Sequence, residues 1–263
     1  MSTLSLAVRD SSTMLRRNLL HARRYPSLTL NLLLTPVMLL LLFVYVFGEA
    51  MSAGLGAGAD RSDYIAYLVP GLLLMTVGST TIGTAVSVSN DMTEGIIARF
   101  RTMAIHRGSV LIGHVVGSVL QCVMSVVLVG AVAVAIGFRS TDATVLEWLA
   151  AFGLVTLFAL ALTWIAVGMG LVSPNAEAAS NNAMPLIFLP LISSTFVPLE
   201  SMPGWFQPVA EYQPFTPAIE TLRGLLLGSE IGTTNAVLAI AWCVGLAVLG
   251  YVWSTSRFNG DPK

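Results

Sequence analysis

The stretch NDMTEGIIARFRTMAIHRG, residues 90–108, is a charged, amphipathic segment between two long apolar runs. The run before it (about residues 64–89) and the run after it (about residues 110–137) each exceed the roughly 20 residues that cross a bilayer. A turn between two membrane helices needs only a few polar residues. We therefore predict that residues 90–108 form a separate helix with an apolar side and a basic side. Asp91 or Thr93 can cap its start, and Gly108 ends it.

Two interpretations of this segment remain open on composition alone. It is either a positively charged loop, which is common in membrane proteins, or a helix on the membrane surface that docks a soluble partner. In the second interpretation, Phe100, Met103 and the arginines face that partner.

The composition indicates the class of protein. Of 263 residues, 55% are hydrophobic and only 10% are charged, and the mean hydropathy is +0.80. Ordinary soluble domains are roughly 25% charged, and a soluble fold could not cover this much apolar surface. We therefore expect an all-α, polytopic membrane protein. The net charge of −1 gives no sign of nucleic-acid binding, and Cys122 and Cys243 lack the spacing of metal ligands.

The first 25 residues predict an amphipathic helix in the membrane interface. Apolar residues at positions 4, 8, 15, 19 and 22 fall in one stripe at helical periodicity. The other side carries basic residues that would face anionic headgroups: Arg16, Arg17, Arg23 and Arg24. The alternative is a disordered basic arm that only fixes the orientation.

Six membrane spans are predicted, at about residues 28–48, 64–89, 110–137, 145–172, 181–196 and 233–254. The chain then forms one transmembrane domain. Its parts are an interface helix (1–25), spans one and two (26–89), the charged segment (90–108), spans three to five (109–196), a hairpin (197–230), span six (231–255) and a tail (256–263). The fifth span is short, and Pro185 and Pro190 interrupt it.

The stretch before the last span, VPLESMPGWFQPVAEYQPFTPAIETLRGLLLG at residues 197–228, is neither a span nor an ordinary loop. Its prolines and aromatic residues predict a pair of short helices that dip into the outer half of the bilayer and return. Trp205, Phe206 and Tyr212 would then lie at the level of the headgroups. A surface loop anchored by these aromatic residues is the alternative.

The basic residues predict the orientation. With six spans, ten of the thirteen lysines and arginines share the side of the two termini, and only Arg61, Arg139 and Arg223 lie opposite. Cytoplasmic loops carry the excess of basic residues. Both termini and residues 90–108 are therefore predicted to be cytoplasmic, and the hairpin is predicted to be external.

The spans lack the residues of an enzyme or an ion-coupled carrier. No metalloprotease, nucleotide-binding or nucleophile motif occurs, and intramembrane charges are nearly absent. His114 is the main ionisable residue within a span, and we interpret it as structural or interfacial. The chain is predicted not to be an enzyme, so the energy for active transport must come from a separate protein.

Two motifs resemble the type-2 ABC exporter permeases, in particular drug or lipid export permeases of the daunorubicin-resistance type. The first lies in the charged segment and comprises Glu94, Gly95, Ile97, Arg99 and Phe100. The second comprises FVPLESMPGWFQPVA and PFTPAIETLRGLLLG within residues 196–228. The sequence departs from many members at one position, because it has His106 where they carry a proline.

The resemblance implies that two permease chains, identical or paired with a similar one, stand above two soluble ATP-binding subunits. ATP and Mg²⁺ would bind those subunits, and this chain would hold no cofactor. The segment would be the coupling helix that contacts the ATP-binding subunit. The residues expected there are Glu94, Arg99, Phe100, Arg101, Met103 and His106.

The resemblance also marks the external hairpin and suggests an exporter in a bacterial inner membrane. The hairpin residues are Pro203, Gly204, Trp205, Pro217 and Arg223. The weakly polar content of the second and fifth spans suggests the substrate path, namely Thr80, Thr84, Asn181, Asn182 and Phe188. The expected cargo is amphipathic and drug-like or lipid-like. Export of a lipid-linked polysaccharide, or a stand-alone carrier or channel, remains an alternative.

Overall fold

The computed structural model describes residues 26–49, 60–94, 107–140 and 142–259. Across these ranges the regular structure is entirely helical, as expected. The α-helices in chain order are α1 (Pro26–Tyr45), α2 (Arg61–Thr93), α3 (Arg107–Ile136), α4 (Val145–Val172), α5 (Ala176–Ala183), α6 (Pro185–Phe188), α7 (Gln207–Tyr212), α8 (Phe215–Leu227) and α9 (Thr233–Asn259). Two short 3₁₀ turns span Leu189–Ile192 and Leu199–Ser201.

Four of the described helices, α2, α3, α4 and α9, are long and apolar enough to cross a membrane. A shorter apolar helix covers Leu34–Tyr45 within α1. The structure therefore supports a multi-pass helical membrane protein, while the count of six spans stays a prediction. In the bundle, α4 packs against both α2 and α9, and α2 also contacts α3 and α5.

The core of the bundle lies between α2, α4 and α8. Leu68, Leu72, Phe158 and Ile219 are fully buried there. The ring of Phe158 meets the ring of Phe215 edge to face, with 4.9 Å between centroids. The outward sides of α3 and α9 remain apolar and exposed, as expected for helices that face lipid.

The fifth predicted span is interrupted, as its two prolines indicate. Helix α5 ends before Met184, α6 begins at Pro185, and a 3₁₀ turn follows around Pro190. A proline has no backbone N–H to donate and clashes with the preceding turn, so a regular helix does not continue. The chain then runs without regular helix to Pro198.

Helix α2 allows this interrupted segment to approach closely because it carries glycines at the contact. A Cβ added at Gly78 would lie 2.7 Å from the carbonyl oxygen of Leu186, and one at Gly71 would lie 2.6 Å from Cγ2 of Thr195. Both distances are too short for a side chain. The small residues therefore set how near the backbone of residues 186–195 lies to α2.

The predicted hairpin contains two short helices, α7 and α8, and the turn between them lies midway along the bundle, against α9. The indole Nε1 of Trp242 donates to the carbonyl oxygen of Tyr212 at 3.0 Å, roughly 13 Å along α9 from its first residue. At the other end of α8, the hydroxyl of Ser140 donates to the carbonyl oxygen of Leu226. Helix α8 therefore runs from mid-bundle to one end of the molecule, here called the hairpin end.

The hairpin end also holds the last residues of α1 and the first residues of α2. The Arg61 guanidinium lies 4.1 Å from the ring centroid of Tyr45. The opposite end, here called the segment end, gathers the last turns of α2, α4 and α9 with the first turns of α3. Val88, Leu111, Val167 and Phe258 form a common cluster there. Helix α2 therefore ends, and α3 begins, at the same end of the bundle as the last turn of α9.

The structure corrects the expected boundaries of the charged segment. Asp91 and Thr93 lie in the last turn of α2, which ends with Glu94 as its C-cap, and Gly108 lies in the first turn of α3. These three residues therefore do not cap a separate helix. Helix α2 extends further because Asp91 in its last turn finds a partner in His114 on α3. The rest of the predicted coupling helix, residues 95–106, lies outside the described residues.

Candidate functional site

A buried polar contact joins α2 and α3 where the charged segment begins and ends. The Nε2 atom of His114 lies 2.9 Å from Oδ2 of Asp91, and both residues are buried, with exposures of 3% and 8%. Burying a polar or charged group is costly unless it is paired. This contact therefore fixes the spacing of the two helices about one turn before the segment leaves α2 and two turns after it enters α3.

Sequence reasoning treated these two residues separately. It interpreted His114 as structural or interfacial and Asp91 as a cap, and the structure brings them together across two helices. Twenty-three positions separate them in the chain, so no local spacing rule could pair them. One feature of the sequence could have suggested the pair. Asp91 and His114 are each an isolated ionisable residue, and they lie at the facing ends of two consecutive apolar runs.

Of the residues predicted for coupling, the structure describes Glu94, which is exposed at the end of α2. Its exposure fits a position at the start of a contact surface. The other five predicted coupling residues lie outside the described residues: Arg99, Phe100, Arg101, Met103 and His106. So do the four arginines predicted for the interface helix: Arg16, Arg17, Arg23 and Arg24.

Arg223 connects the hairpin to two other elements near the hairpin end. Its Nε and Nη2 atoms donate to the carbonyl oxygen of Tyr67 on α2, at 3.2 and 3.1 Å. Nη2 also donates to the carbonyl oxygen of Ser194, at 2.9 Å, and Nη1 pairs with Oε1 of Glu220 at 2.6 Å. The guanidinium lies 3.8 Å from the ring centroid of Tyr67.

This arrangement satisfies backbone that the broken fifth span leaves without a helical partner. The carbonyl oxygen of Ser194 accepts from the guanidinium of Arg223 and from the hydroxyl of Tyr67, at 2.9 Å in each case. A buried carbonyl without a donor costs free energy in an apolar environment. The sequence predicted Arg223 as a hairpin residue, and the structure shows which backbone it binds.

The other predicted hairpin residues occupy two different environments. Pro203, Gly204 and Trp205 are exposed at the turn before α7, and Trp205 has the most exposed large side chain described, at 79%. Pro217 is buried in the first turn of α8, where its missing N–H costs nothing.

The residues predicted for the substrate path differ in their exposure within one chain. Thr80 and Thr84 are buried within the chain, at 6% and 5% exposure, and Thr80 donates to the carbonyl oxygen of Val77 at 2.9 Å. Asn181, Asn182 and Phe188 are exposed on α5 and α6. Within one chain, only these last three lie on a surface that cargo or a second chain could contact.

Comparison with known proteins decides the family. Residues 10–227 match the ABC-2 type transporter family, which covers most of the chain. The chain belongs to the ABC-2 type transporter family. It is therefore the membrane-spanning permease subunit of an ABC exporter, and separate ATP-binding subunits carry out ATP hydrolysis. The expectation that this chain is not itself an enzyme is confirmed by the family.

Three relatives of this ABC-2 permease show the range of the similarity. It is 29% identical to the daunorubicin resistance ABC transporter permease protein DrrB1 of Streptomyces coeruleorubidus, over 92% of this chain and 83% of the relative. It is 23% identical to the probable doxorubicin resistance ABC transporter permease protein DrrC of Mycobacterium tuberculosis, over 65% and 61%. It is 25% identical to nodulation protein J of Rhizobium meliloti, over 81% and 80%.

Proposed function

We propose that this permease moves amphipathic, drug-like or lipid-like molecules out of the cytoplasm of a bacterium. Two relatives named for resistance to daunorubicin and doxorubicin support this cargo class. The near absence of charged residues within the long helices also supports it, since a path without fixed charges suits an amphipathic cargo better than an ionic one. The permease would lie in the inner membrane with both termini in the cytoplasm.

The observation that carries the coupling step is the contact between Asp91 and His114, which joins the two helices that flank the charged segment. Because the contact between Asp91 and His114 joins α2 to α3 at the segment end, a push on residues 95–106 would move both helices together. ATP binding would close the two ATP-binding subunits, and the segment would transmit that movement. Phe100 and Arg101 are the proposed anchors, because aromatic and arginine side chains dominate most protein interfaces.

The distribution of basic residues supports the proposed orientation. Arg107 begins α3 and Arg257 lies in the last turn of α9, both at the segment end, and residues 95–106 add Arg99 and Arg101. Basic residues favour the cytoplasmic side. The hairpin end would then be external, and the turn between α7 and α8 would dip into the outer half of the bilayer.

The rival cargo, a lipid-linked polysaccharide, would favour a ladder of aromatic residues along the path. The aromatic pairs described within the bundle instead pack helices together, as Phe158 does with Phe215 and Trp164 with Tyr251. They therefore favour the drug-like or lipid-like cargo.

The test is transport by the permease reconstituted in vesicles with its ATP-binding subunit. We expect Phe100→Ala and Arg101→Ala each to abolish ATP-dependent export of daunorubicin, because each removes an anchor of the partner contact. Arg257→Ala is the control, since it removes an exposed arginine at the same end of the molecule. Membrane insertion should be unchanged in all three variants.

Two results would contradict the proposal. Full export by both anchor variants would refute the docking role of residues 95–106. Export by the purified permease without an ATP-binding subunit would support a stand-alone carrier.

A further inference from the structure

A groove of about 330 Å³ opens between α2, α3, α4 and α8 in the half of the bundle nearer the hairpin end. Buried side chains form its floor, including Leu73 and Leu222, and exposed side chains form its edge, including Val127 and Phe152. It therefore opens sideways, between the outward faces of α3 and α4, and not along the axis of the bundle.

The lining of the groove is almost entirely apolar. Trp148 is the single lining residue whose side chain can form a conventional hydrogen bond. Along α3 the lining extends from Val123 to Val134, which corresponds to roughly 16 Å of helix. One leaflet contributes about half of the roughly 30 Å hydrocarbon core, so the groove is about as long as one leaflet is deep.

The guanidinium of Arg139 lies at the hairpin end of this groove. Nη1 of Arg139 donates to the carbonyl oxygens of Val134 and Phe138, at 2.7 and 3.0 Å, and both of these residues line the groove. Arg139 is exposed, and the two described hydrogen bonds of its guanidinium are both donated by Nη1. The carboxylate of Glu147, in the first turn of α4, is engaged in the capping box of Thr144.

We propose that the groove binds an anionic phospholipid, with one acyl chain against the apolar lining and the phosphate at Arg139. An arginine and a half-exposed tryptophan next to an apolar wall are the features that hold a lipid at its interface depth. A flexible chain fills an irregular apolar space, whereas an empty groove would lose the dispersion contacts of its lining.

The same features argue against other occupants. A transmembrane helix is about 10 Å wide with its side chains, which is too wide for a space of this volume. A drug-sized cargo has polar groups, and the wall of the groove offers them only the indole of Trp148. A hydrocarbon chain needs no polar partner.

The test is photolabelling of the assembled permease and ATP-binding complex in phosphatidylcholine vesicles. The probe is phosphatidylglycerol with a diazirine on one acyl chain, and labelled peptides are identified by mass spectrometry. We expect labels on α3 and α4 at residues that line the groove. The same diazirine on phosphatidylcholine should label these residues several-fold less.

A matched pair of variants tests the position of the chain. Ala131 lines the groove, whereas Ala135 is exposed one turn later on the same helix and does not line it. Ala131→Phe should lower the labelling several-fold, and Ala135→Phe should leave it unchanged. Arg139→Gln should remove the preference for phosphatidylglycerol over phosphatidylcholine. Since the comparison of the two probes uses the unaltered protein, a folding defect in one variant does not decide the result.

Four outcomes would overturn the proposal. They are equal labelling of the two alanine variants, equal labelling by the two lipids in the unaltered protein, loss of the label when daunorubicin is added, and disulfide cross-linking between two permease chains through a cysteine at position 131. The third would identify a cargo site, and the fourth would identify an interface between copies.

Discussion

Arg223 shows how one side chain stabilises a break in a membrane helix. Its guanidinium binds the carbonyl oxygens of Tyr67 and Ser194, pairs with Glu220 and stacks on the ring of Tyr67. An arginine presents several donors in one plane and also stacks on an aromatic ring. A lysine carries a compact point charge and lacks both the planar set of donors and the flat face that stacks on a ring.

We therefore predict that Arg223→Lys lowers the free energy of unfolding by about 1–3 kcal/mol, the usual cost of leaving a buried polar group without its hydrogen bond. Denaturant unfolding followed by tryptophan fluorescence would measure it. Arg257→Lys is the control, because Arg257 is exposed on α9. Equal stability of the two variants would show that the contacts of Arg223 are not important for the fold.

Two glycines offer a second comparison of single residues. A Cβ at Gly78 would meet the carbonyl oxygen of Leu186 at 2.7 Å, whereas a Cβ at Gly153 would meet nothing within 4 Å. Both lie inside long helices. In the absence of a clash, alanine is favoured over glycine in a helix by roughly 0.5–1 kcal/mol.

Gly78→Ala should destabilise the permease by about 1–3 kcal/mol, because the interrupted segment must move away from α2. Gly153→Ala should be neutral or slightly stabilising. The same unfolding measurement checks both variants. A neutral Gly78→Ala would mean that the backbone near Leu186 moves freely relative to α2.

The end of α2 shows that tertiary contacts can decide where a helix ends. The polar residues after the second apolar run predicted an early end of the helix, yet α2 continues to Thr93. The continuation brings Asp91 to His114 on α3, so the helix gains a buried polar contact. The contact therefore connects the two helices that flank the charged segment.

We expect the Asp91 and His114 side chains to be energetically coupled. A double-mutant cycle with Asp91→Asn, His114→Gln and the double variant should give an interaction energy of about 0.5–3 kcal/mol, because the two residues are in direct contact. Stability is measured by unfolding. The transfer of movement from the ATP-binding subunit is measured by the stimulation of ATP hydrolysis in the assembled complex.

The functional part of this prediction has its own signature. We expect each single variant to retain assembly with the ATP-binding subunit and to lose part of the cargo-stimulated ATP hydrolysis. Strictly additive effects in the cycle would argue that the contact does not connect α2 and α3. Normal stimulation in both single variants would argue against its role in coupling.

The family implies an assembly of two permease chains, and we propose that the cargo path lies between them. We propose that the exposed side of α5 and α6, with Asn181, Asn182 and Phe188, faces the second chain. A twofold axis makes the same residue of both copies meet near the axis. The buried position of the native Cys122 and Cys243 keeps them away from surface reagents.

Single cysteines test this arrangement. In membranes, Asn182→Cys or Phe188→Cys should form a disulfide between two permease chains under mild oxidation. Val248→Cys is the control, because Val248 is 57% exposed on α9. Cross-linking at position 248 with none at 182 or 188 would place the dimer interface on α9.

Much of the architecture followed from local sequence. The long apolar runs predicted α2, α3, α4 and α9, the two prolines predicted the broken fifth span, and the hairpin motif predicted two short helices. The candidate site was harder to predict from the sequence. Thr80 and Thr84 stay predicted path residues, and the structure adds that both are buried within one chain and that Thr80 donates its hydroxyl to its own helix backbone.

The sequence alone determined that the chain is a helical membrane protein, because hydropathy is a local property, and the family match added that ATP hydrolysis belongs to separate subunits. Only the tertiary structure decided which residues meet: His114 with Asp91, Arg223 with Tyr67 and Ser194, and the groove beside Arg139. These contacts join residues far apart in the chain, and no periodicity encodes them. They arise because buried polar groups and close-packed helices must satisfy each other in three dimensions.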